Sequence, residues 1–363
     1  MTVDIDDVAK LAGVSTATVS RAMRGLPNVS EKTRRRVMAA AAELDYVSSP
    51  SASRLASGHT HTVGIVAPYL GRWFFGQVLA GAERVLRESG YDVLLFGLPD
   101  DAAVADFFER MPLRRRVDAV LVLTLPLTVE QLRQLRQLGV PLGAIGVQAP
   151  NICMVGIDDL ASARTATNHL INLGHRRIAM IGGGDSIATH FITPDDRRDG
   201  YRQAMAEADL PVLPGYELDG SYTADGGEAA MVELLSLPHP PTAVFAQSDE
   251  MAIGAMRALR RCGLSCPVDV SIIGFDDHEM ASLVDLTTIR QPAEQQGELA
   301  AKQVLACLGG EPVRHELVPT RLVLRGTTCP PRSAAGVDDA DGSTTDSRDP
   351  AGPTPPRRPT TGD

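Results

Sequence analysis

Seven short, almost uninterrupted apolar runs recur along residues 61–329, and their texture restricts the fold of that region more than any other feature of the chain. They are VGIVAP at 63–68, DVLLFGL at 92–98, AVLVLTL at 119–125, LGAIGV at 142–147, RIAMIGG at 177–183, AVFAQS at 243–248 and SIIGFDD at 271–277. Helical patterns lie between them, at 75–89, 129–138, 160–173, 197–208, 225–236 and 249–262. A strand buried on one face alternates apolar and polar residues. One covered on both faces reads as a continuous apolar run. Strands of this kind alternating with helices predict doubly covered parallel sheets. Gly139–Pro141 and Gly263–Pro267 mark two helix-to-strand returns. About 270 residues of this pattern suit two similar α/β lobes with a cleft between them. Aromatic residues make up only 4% of the chain, so Val, Ile, Leu and Ala must fill these cores.

The amino-terminal end reads differently. Asp4 can cap a first helix that has Asp6 and Asp7 in its opening turn and Val8, Leu11 and Ala12 on one face, with Gly13 as its stop. Ser15 caps a second run, 16–23, which Gly25 and Pro27 end. Ser30 caps a third, with Val37, Ala41 and Leu44 on one stripe. Two helices joined by a turn of about three residues containing a glycine form a helix-turn-helix. The second helix is then the expected reader of the DNA major groove. Thr16 and Ala17 are small enough to meet a thymine methyl, and Arg21 lies one turn further along, where a guanidinium can fork onto guanine. Ser15, Thr18 and Ser20 are the expected phosphate contacts, which position the helix without reading sequence. A plain three-helix packing domain is the bland alternative. It does not account for a cap, a glycine turn and a polar face falling together.

The charge distribution agrees with a DNA-binding head. The net charge is −10, but residues 1–60 hold eight basic groups against six acids, so that segment is +2 and the remainder −12. A basic head on an acidic body points to an anionic partner for the head. No apolar run reaches the roughly 18–20 residues that cross a bilayer. MTVDIDDVAK also has acids where a secretion signal has a basic region, so a cytoplasmic protein is expected. The five cysteines (Cys153, Cys262, Cys266, Cys307, Cys329) are scattered without a C-x-x-C pair, and no histidine pair near Cys262 and Cys266 completes a zinc set. They are expected to be buried, reduced thiols, and no metal or cofactor is expected.

The segment DVAKLAGVSTATVSR at 7–21 resembles the LacI/GalR (lactose and galactose repressor) transcription regulators. The resemblance continues through VSEKTRRRV at 29–37, LDY at 44–46, GHRRIA at 174–179, SDEMAIG at 248–254, IGFDD at 273–277, LTTI at 286–289 and LVLRG at 322–326. Order and spacing cover residues 2–329. The family implies an all-α helix-turn-helix head (1–46) with Ser30 among its DNA contacts. It further implies a hinge segment (47–60), a two-lobed periplasmic-binding-protein-like α/β body (61–329) with lobe crossovers near 160, 290 and 320, and a homodimer on pseudo-palindromic operator DNA. Residues 330–363, rich in Pro, Gly, Ser and Thr, are expected to be a disordered tail. Residues 50–57 are implied to become a hinge helix on DNA, with Ala52 and Leu55 entering the minor groove and Leu55 as the wedge. Pro50 and Ser53 depart from the family's commoner residues there, and a tether without DNA contact is the competing reading.

For the cleft, the family implies Arg197, Asp276, Ser248 and the aromatic pair Trp73 and Phe74 as contacts for a small polar effector, with a sugar as the expected class. Ser248 stands where relatives often carry asparagine. The competing readings are a surface ion pair for Arg197 and core packing for Phe74 or Phe75. Asp249 and Asp277 are expected to cap helices. A transport protein that binds sugar shares the body but not the head. A nicotinamide-dependent enzyme would need a glycine fingerprint after a strand. Gly182-Gly183-Gly184 is too short for one, His190 stands alone, and no P-loop or G-x-S-x-G is present. The expectation is a ligand-controlled DNA-binding regulator rather than an enzyme.

Overall fold

The computed structural model describes residues 3–23, 25–46, 59–125, 127–146, 149–183 and 192–332. Ala52, Leu55 and the rest of segment 47–58 lie outside the described residues, as do His190, Gly184 and the tail from Ser333 onward.

The head is three helices: α1 (Ile5–Ala12), α2 (Thr16–Met23) and α3 (Glu31–Glu43). Asp4 accepts from the amides of Asp6 and Asp7, while the Asp7 carboxylate accepts from the Asp4 amide. Together these contacts form a capping box that fixes where α1 begins. Gly13 ends it at φ 61°, a left-handed position that suits a residue without Cβ. Val8, Ala12, Val19, Ala22, Val37 and Ala41 close into one small core. The Arg34 guanidinium donates to the carbonyls of Ala22 (2.9 Å) and Leu26 (3.0 Å), which ties α3 to the end of α2.

The body has two six-stranded sheets. The first runs in the order β11-β5-β4-β3-β1-β2, from β1 (Thr62–Ala67), β2 (Asp92–Gly97), β3 (Ala119–Leu123), β4 (Leu142–Ile145), β5 (Cys153–Gly156) and β11 (His315–Leu317), all parallel. The second runs β12-β10-β9-β8-β6-β7, from β6 (Ile178–Gly182), β7 (Glu217–Asp219), β8 (Ala243–Ala246), β9 (Ser271–Asp276), β10 (Thr287–Arg290) and β12 (Arg321–Val323). Only β12 is antiparallel to its neighbour. The continuous apolar runs are the central strands: β1, β3, β4, β6 and β8 are buried along their whole length. The edge strand β2 stays partly exposed.

Helices α4 (Trp73–Glu88), α5 (Asp101–Arg110), α6 (Val129–Arg136) and α12 (Ala293–Leu308) cover the first sheet. Helices α7 (Asp159–Asn172), α8 (Ile192–Glu207), α9 (Ala224–Leu235) and α10 (Asp249–Arg261) cover the second, and short α11 (Glu279–Leu283) follows β9. Both lobes contain helix pairs whose close approach depends on glycine. A Cβ on Gly81 of α4 would sit 2.0 Å from the Glu294 carbonyl oxygen, and one on Gly297 of α12 would sit 2.0 Å from that of Val78. In the second lobe, Gly227 and Gly254 play the same part between α9 and α10, at 2.2 Å from the Met251 oxygen and 1.9 Å from that of Ala224. The chain passes between lobes three times: from β5 into α7, from β10 into α12 and from β11 into β12. These three short connections are the hinge about which the lobes can move.

Candidate effector cavity and DNA-binding face

In parallel sheets, ligands bind beyond the carboxyl ends of the strands, where connections diverge. Here two such edges face each other around a cavity of about 380 Å³. Tyr69, Thr124, Gly146 and Ile157 reach it from the ends of β1, β3, β4 and β5, and Gly183, Asp219, Ser248, Asp276 and Gln291 from the ends of β6 to β10. Phe74 and Phe75 add aromatic surface from the start of α4, and Tyr222 adds it from the second lobe.

Arg197, on α8, is 4% exposed, so it is not part of a surface ion pair. Its Nε donates to Asp159 Oδ1 at 2.7 Å and its Nη1 to the Gln247 carbonyl at 2.6 Å, and its guanidinium lies 3.5 Å from the centre of the Phe275 ring. Burial works against its charge, but Asp159, Tyr222 and Asp276 outweigh that effect and raise its pKa. Asp159 shows the reverse conflict. Burial raises its pKa, and the charge and hydrogen bond of Arg197 only partly offset the rise.

Asp276 ends β9 at φ 118°, a strained backbone position for a residue with a side chain. Gln291 Nε2 donates to its Oδ1 at 2.5 Å, and Gln296 Nε2 donates to Gln291 Oε1 at 3.1 Å, so a polar relay runs along the cavity wall. Enclosure pushes the Asp276 pKa up to about 7, against Arg197 and Gln291, which pull it down. Thr124 is also at positive φ, 44°, and is 6% exposed. Among the described residues its Oγ1 has no hydrogen-bond partner, although it borders the cavity. A buried hydroxyl left open beside a cavity calls for a ligand group.

The cavity brings together Phe74, Arg197, Ser248 and Asp276. Trp73 is placed elsewhere. As the first residue of α4 it turns toward the other lobe, where its ring meets that of His278, and Phe75 takes the place beside Phe74. Ser248 borders the cavity, yet its hydroxyl accepts from the Met251 amide at 3.3 Å and caps α10. Two expectations about caps are corrected by this arrangement. Asp249 follows the cap rather than forming it: its buried carboxylate accepts from the His278 amide (2.7 Å) and Thr288 Oγ1 (2.6 Å). His278, not Asp277, caps α11, and Asp277 instead pairs with Arg290 and Arg325. Nor are all the thiols buried. Cys262 is exposed, and the five cysteines are free.

Tyr69, Thr124, Asp159, Tyr222, Gln291 and Gln296 were missed in the sequence. Four of them follow strands or lie just beyond their carboxyl ends, so the strand-end rule carries a signal for them. Asp159 and Gln296 lie on helices and carry none.

In the head, α2 buries Val19 and Ala22 and leaves Ala17 and Arg21 exposed, with Thr16, Thr18 and Ser20 half-buried along the same helix. Ser15 Oγ accepts from the Thr18 amide at 3.3 Å and lies 2.9 Å from Thr18 Oγ1, so both hydroxyls already shape the start of α2. Ser30 is exposed and caps α3 through the Thr33 amide at 3.2 Å. Among the described residues no His, Cys, Asp or Glu group could hold a metal ion, and no helix is long and apolar enough to cross a membrane.

Comparison with known proteins finds the same two parts. Residues 4–49 match the family described as bacterial regulatory proteins, lacI family, and residues 167–328 match a periplasmic binding protein-like domain. The HTH-type transcriptional repressor CytR of Escherichia coli (strain K12) is 35% identical over 333 residues, covering 89% of this chain and 95% of the relative. Among solved structures, the lac repressor dimer bound to operator and the anti-inducer ONPF superposes with a TM-score of 0.82 at 28% identity, covering 91% of this chain and all of that one. A transcriptional regulator CelR–cellobiose complex superposes with a TM-score of 0.67 at 32% identity, covering 90% of this chain and 99% of that one.

Proposed function

The chain belongs to the LacI family of bacterial regulatory proteins, and from that premise we propose that it is a dimeric transcriptional repressor whose hold on operator DNA is set by a small polar ligand in the interlobe cavity. One observation carries the reading. A helix-turn-helix with an exposed α2 face and a cavity closed by two lobes occur in the same chain. The head alone would be a DNA anchor and the body alone a binding protein. Three connections join the lobes, so a ligand that favours one lobe arrangement shifts the population of that arrangement, and with it the DNA affinity.

A sugar is the proposed ligand class. Phe74, Tyr69 and Tyr222 offer faces for the apolar side of a pyranose or furanose ring, while Asp276, Thr124 and the Gln291–Gln296 relay offer acceptors and donors for hydroxyls. The cellobiose bound by CelR supports the same class. Arg197 presents the rigid wall against which that network is built. On the DNA side, Thr16, Ala17 and Arg21 are the proposed base contacts, with Ser15, Thr18, Ser20 and Ser30 on phosphates. Ala52 and Leu55 are proposed as minor-groove contacts by family likeness.

The test is an equilibrium titration of the full chain against labelled pseudo-palindromic duplexes, with and without a panel of mono- and disaccharides. The reading expects sequence-specific binding that one class of sugar shifts by about 5–150-fold, the usual span of such coupling. Specific binding that no sugar moves removes the sugar proposal.

A further inference from the structure

The first lobe carries a second concave surface, at the opposite edge of its sheet from the effector cavity. It is a groove of about 1040 Å³ at the amino ends of β1, β2, β3 and β4, lined by His59, Thr60, Asp92, Asp118 and the run Arg114-Arg115-Arg116. We propose that this arginine run is a second DNA-contacting surface, one that grips phosphates of the duplex beside the site read by α2. The inference rests on the DNA-binding reading of the head.

Three observations place DNA within reach of the groove. The first is where the chain enters the body. Asp118, two residues beyond Arg116, accepts from the amides of Thr60 (2.7 Å) and His61 (2.8 Å) and from Thr60 Oγ1 (2.9 Å). The residues that arrive from the head are therefore clamped to the same turn that presents the arginines. Only residues 47–58 separate that clamp from the end of the head. At about 3.3–3.6 Å per extended residue, the span cannot exceed about 45 Å, so any duplex held by the head stays near the groove.

The second observation is charge. Arg114, Arg115 and Arg116 are all exposed, and among the described residues none has a carboxylate partner within ion-pair distance. Arg116 makes only a long bond, 3.4 Å, to the Pro112 carbonyl. The acids facing the groove are Asp92, which begins β2, and Asp118, whose oxygens the clamp already uses. Three uncompensated cations together are unusual on a body that is −12 beyond residue 60. On the helices on either side of the groove the exposed arginines are paired, Arg110 with Asp106 and Arg133 with Glu130.

The third is the backbone. Arg115 sits at φ 59°, a conformation in which glycine would be relaxed. The turn keeps an arginine there at a cost in strain, and such strain gathers where a side chain has a task.

Arginine forks suit phosphate oxygens, and contacts of this kind add affinity without sequence preference. They also release condensed counterions, which provides the measurement. Operator affinity is followed against salt concentration for the full chain and for the triple variant R114Q/R115Q/R116Q. Each lost phosphate contact lowers the slope of log K against log salt by about 0.9, so loss of even one contact per protomer lowers the slope of the dimer by about 2. At low salt the variant should bind at least about ten-fold more weakly, with the same preference among operator sequences. The charge-keeping variant R114K/R115K/R116K should recover most of the slope, and thermal melting of both variants should match the parent. A triple Gln variant with the parent slope overturns the inference while leaving the head's reading intact. If sedimentation shows that this variant has separated into protomers, the groove is a subunit contact and the inference is overturned. Failure of the parent chain to bind any duplex removes the premise and the inference together.

Discussion

Trp73 of the first lobe and His278 of the second lie ring against ring, centroids 5.0 Å apart and planes at 35°. One residue opens α4 and the other caps α11, so the contact bridges the mouth of the cleft and lasts only while the lobes keep this spacing. The indole Nε1 is buried without a partner among the described residues, so the ring is held by this stacking and by apolar packing on the first lobe, with no hydrogen bond to fix it. Trp73 is the single tryptophan of the chain. Its emission should therefore report lobe movement directly. A ligand that alters operator affinity should change the emission with the same midpoint, and H278A should flatten that response while operator affinity still shifts. A ligand that moves operator affinity without any change in emission would show that the lobes do not rearrange at this contact.

On the DNA side, Arg21 stands at the exposed end of α2, one turn beyond Ala17. Arg34, by contrast, has its guanidinium engaged on the Ala22 and Leu26 carbonyls and holds the head together. The two arginines should behave differently. R21A should weaken operator binding by about 1–3 kcal/mol and relax preference at one base pair per half-site, with unchanged melting of the head. R34A should lower stability first, because it removes both guanidinium bonds that tie α3 to the chain leaving α2, at Ala22 and Leu26. Equal losses of melting temperature in both variants would contradict this division.

Arg197 and Asp159 form a buried pair whose side chains are 5% and 12% exposed. Removing one partner strands the other, which in buried pairs costs about 3–5 kcal/mol. R197A should therefore lose the ligand response and also melt lower, a double effect that a surface ion pair would not produce. The double variant R197M/D159L removes both charges together and should regain much of the stability while staying blind to ligand. Calorimetric melting gives the first readout and operator titration the second. Recovery of ligand response in the double variant would show that Arg197 is not needed at the cavity.

How much of this was legible beforehand depended on periodicity. The apolar runs that became β1, β3, β4, β6, β8 and β9 are long enough to read, and the helix caps Asp4, Ser15 and Ser30 stand where their side chains predict. Helix α12 was invisible as an apolar pattern because it buries Gln296, Gly297 and Gln303 beside small alanines. It packs by close approach at Gly81 and Gly297 instead of by large side chains, a contact no single segment announces. Strands β7, β11 and β12 have three residues each, too few for any period. In the cavity, Arg197 and Asp276 were readable only through family likeness. Thr124 and Gln291 become meaningful only when two distant strand ends meet. Trp73 misled because adjacent helix residues face about 100° apart, and its neighbours hold the faces that border the cavity.

The pH response should centre on Asp276. Its folded pKa stands at about 7 and its ordinary value near 4, with burial as the main cause. Between those values the folded state holds a proton that the unfolded chain has released. This group's contribution to stability is therefore fully present below its ordinary pKa and lost as pH rises through about 7. D276N cannot ionise and should melt with a flatter pH profile, gaining on the parent chain as pH rises from about 4 and levelling off above about 7. Ligand binding should run the other way. A sugar hydroxyl that donates to the carboxylate favours its ionised form, so ligand affinity should rise with pH through about 7 and pull that pKa down when bound. The measurement is ligand affinity by calorimetry from pH 5.5 to about 8.5, alongside thermal melts of both proteins. An affinity profile as flat in the parent as in D276N would mean that the ligand makes no contact with this carboxylate, leaving Thr124 and the Gln291–Gln296 relay as the polar wall of the site.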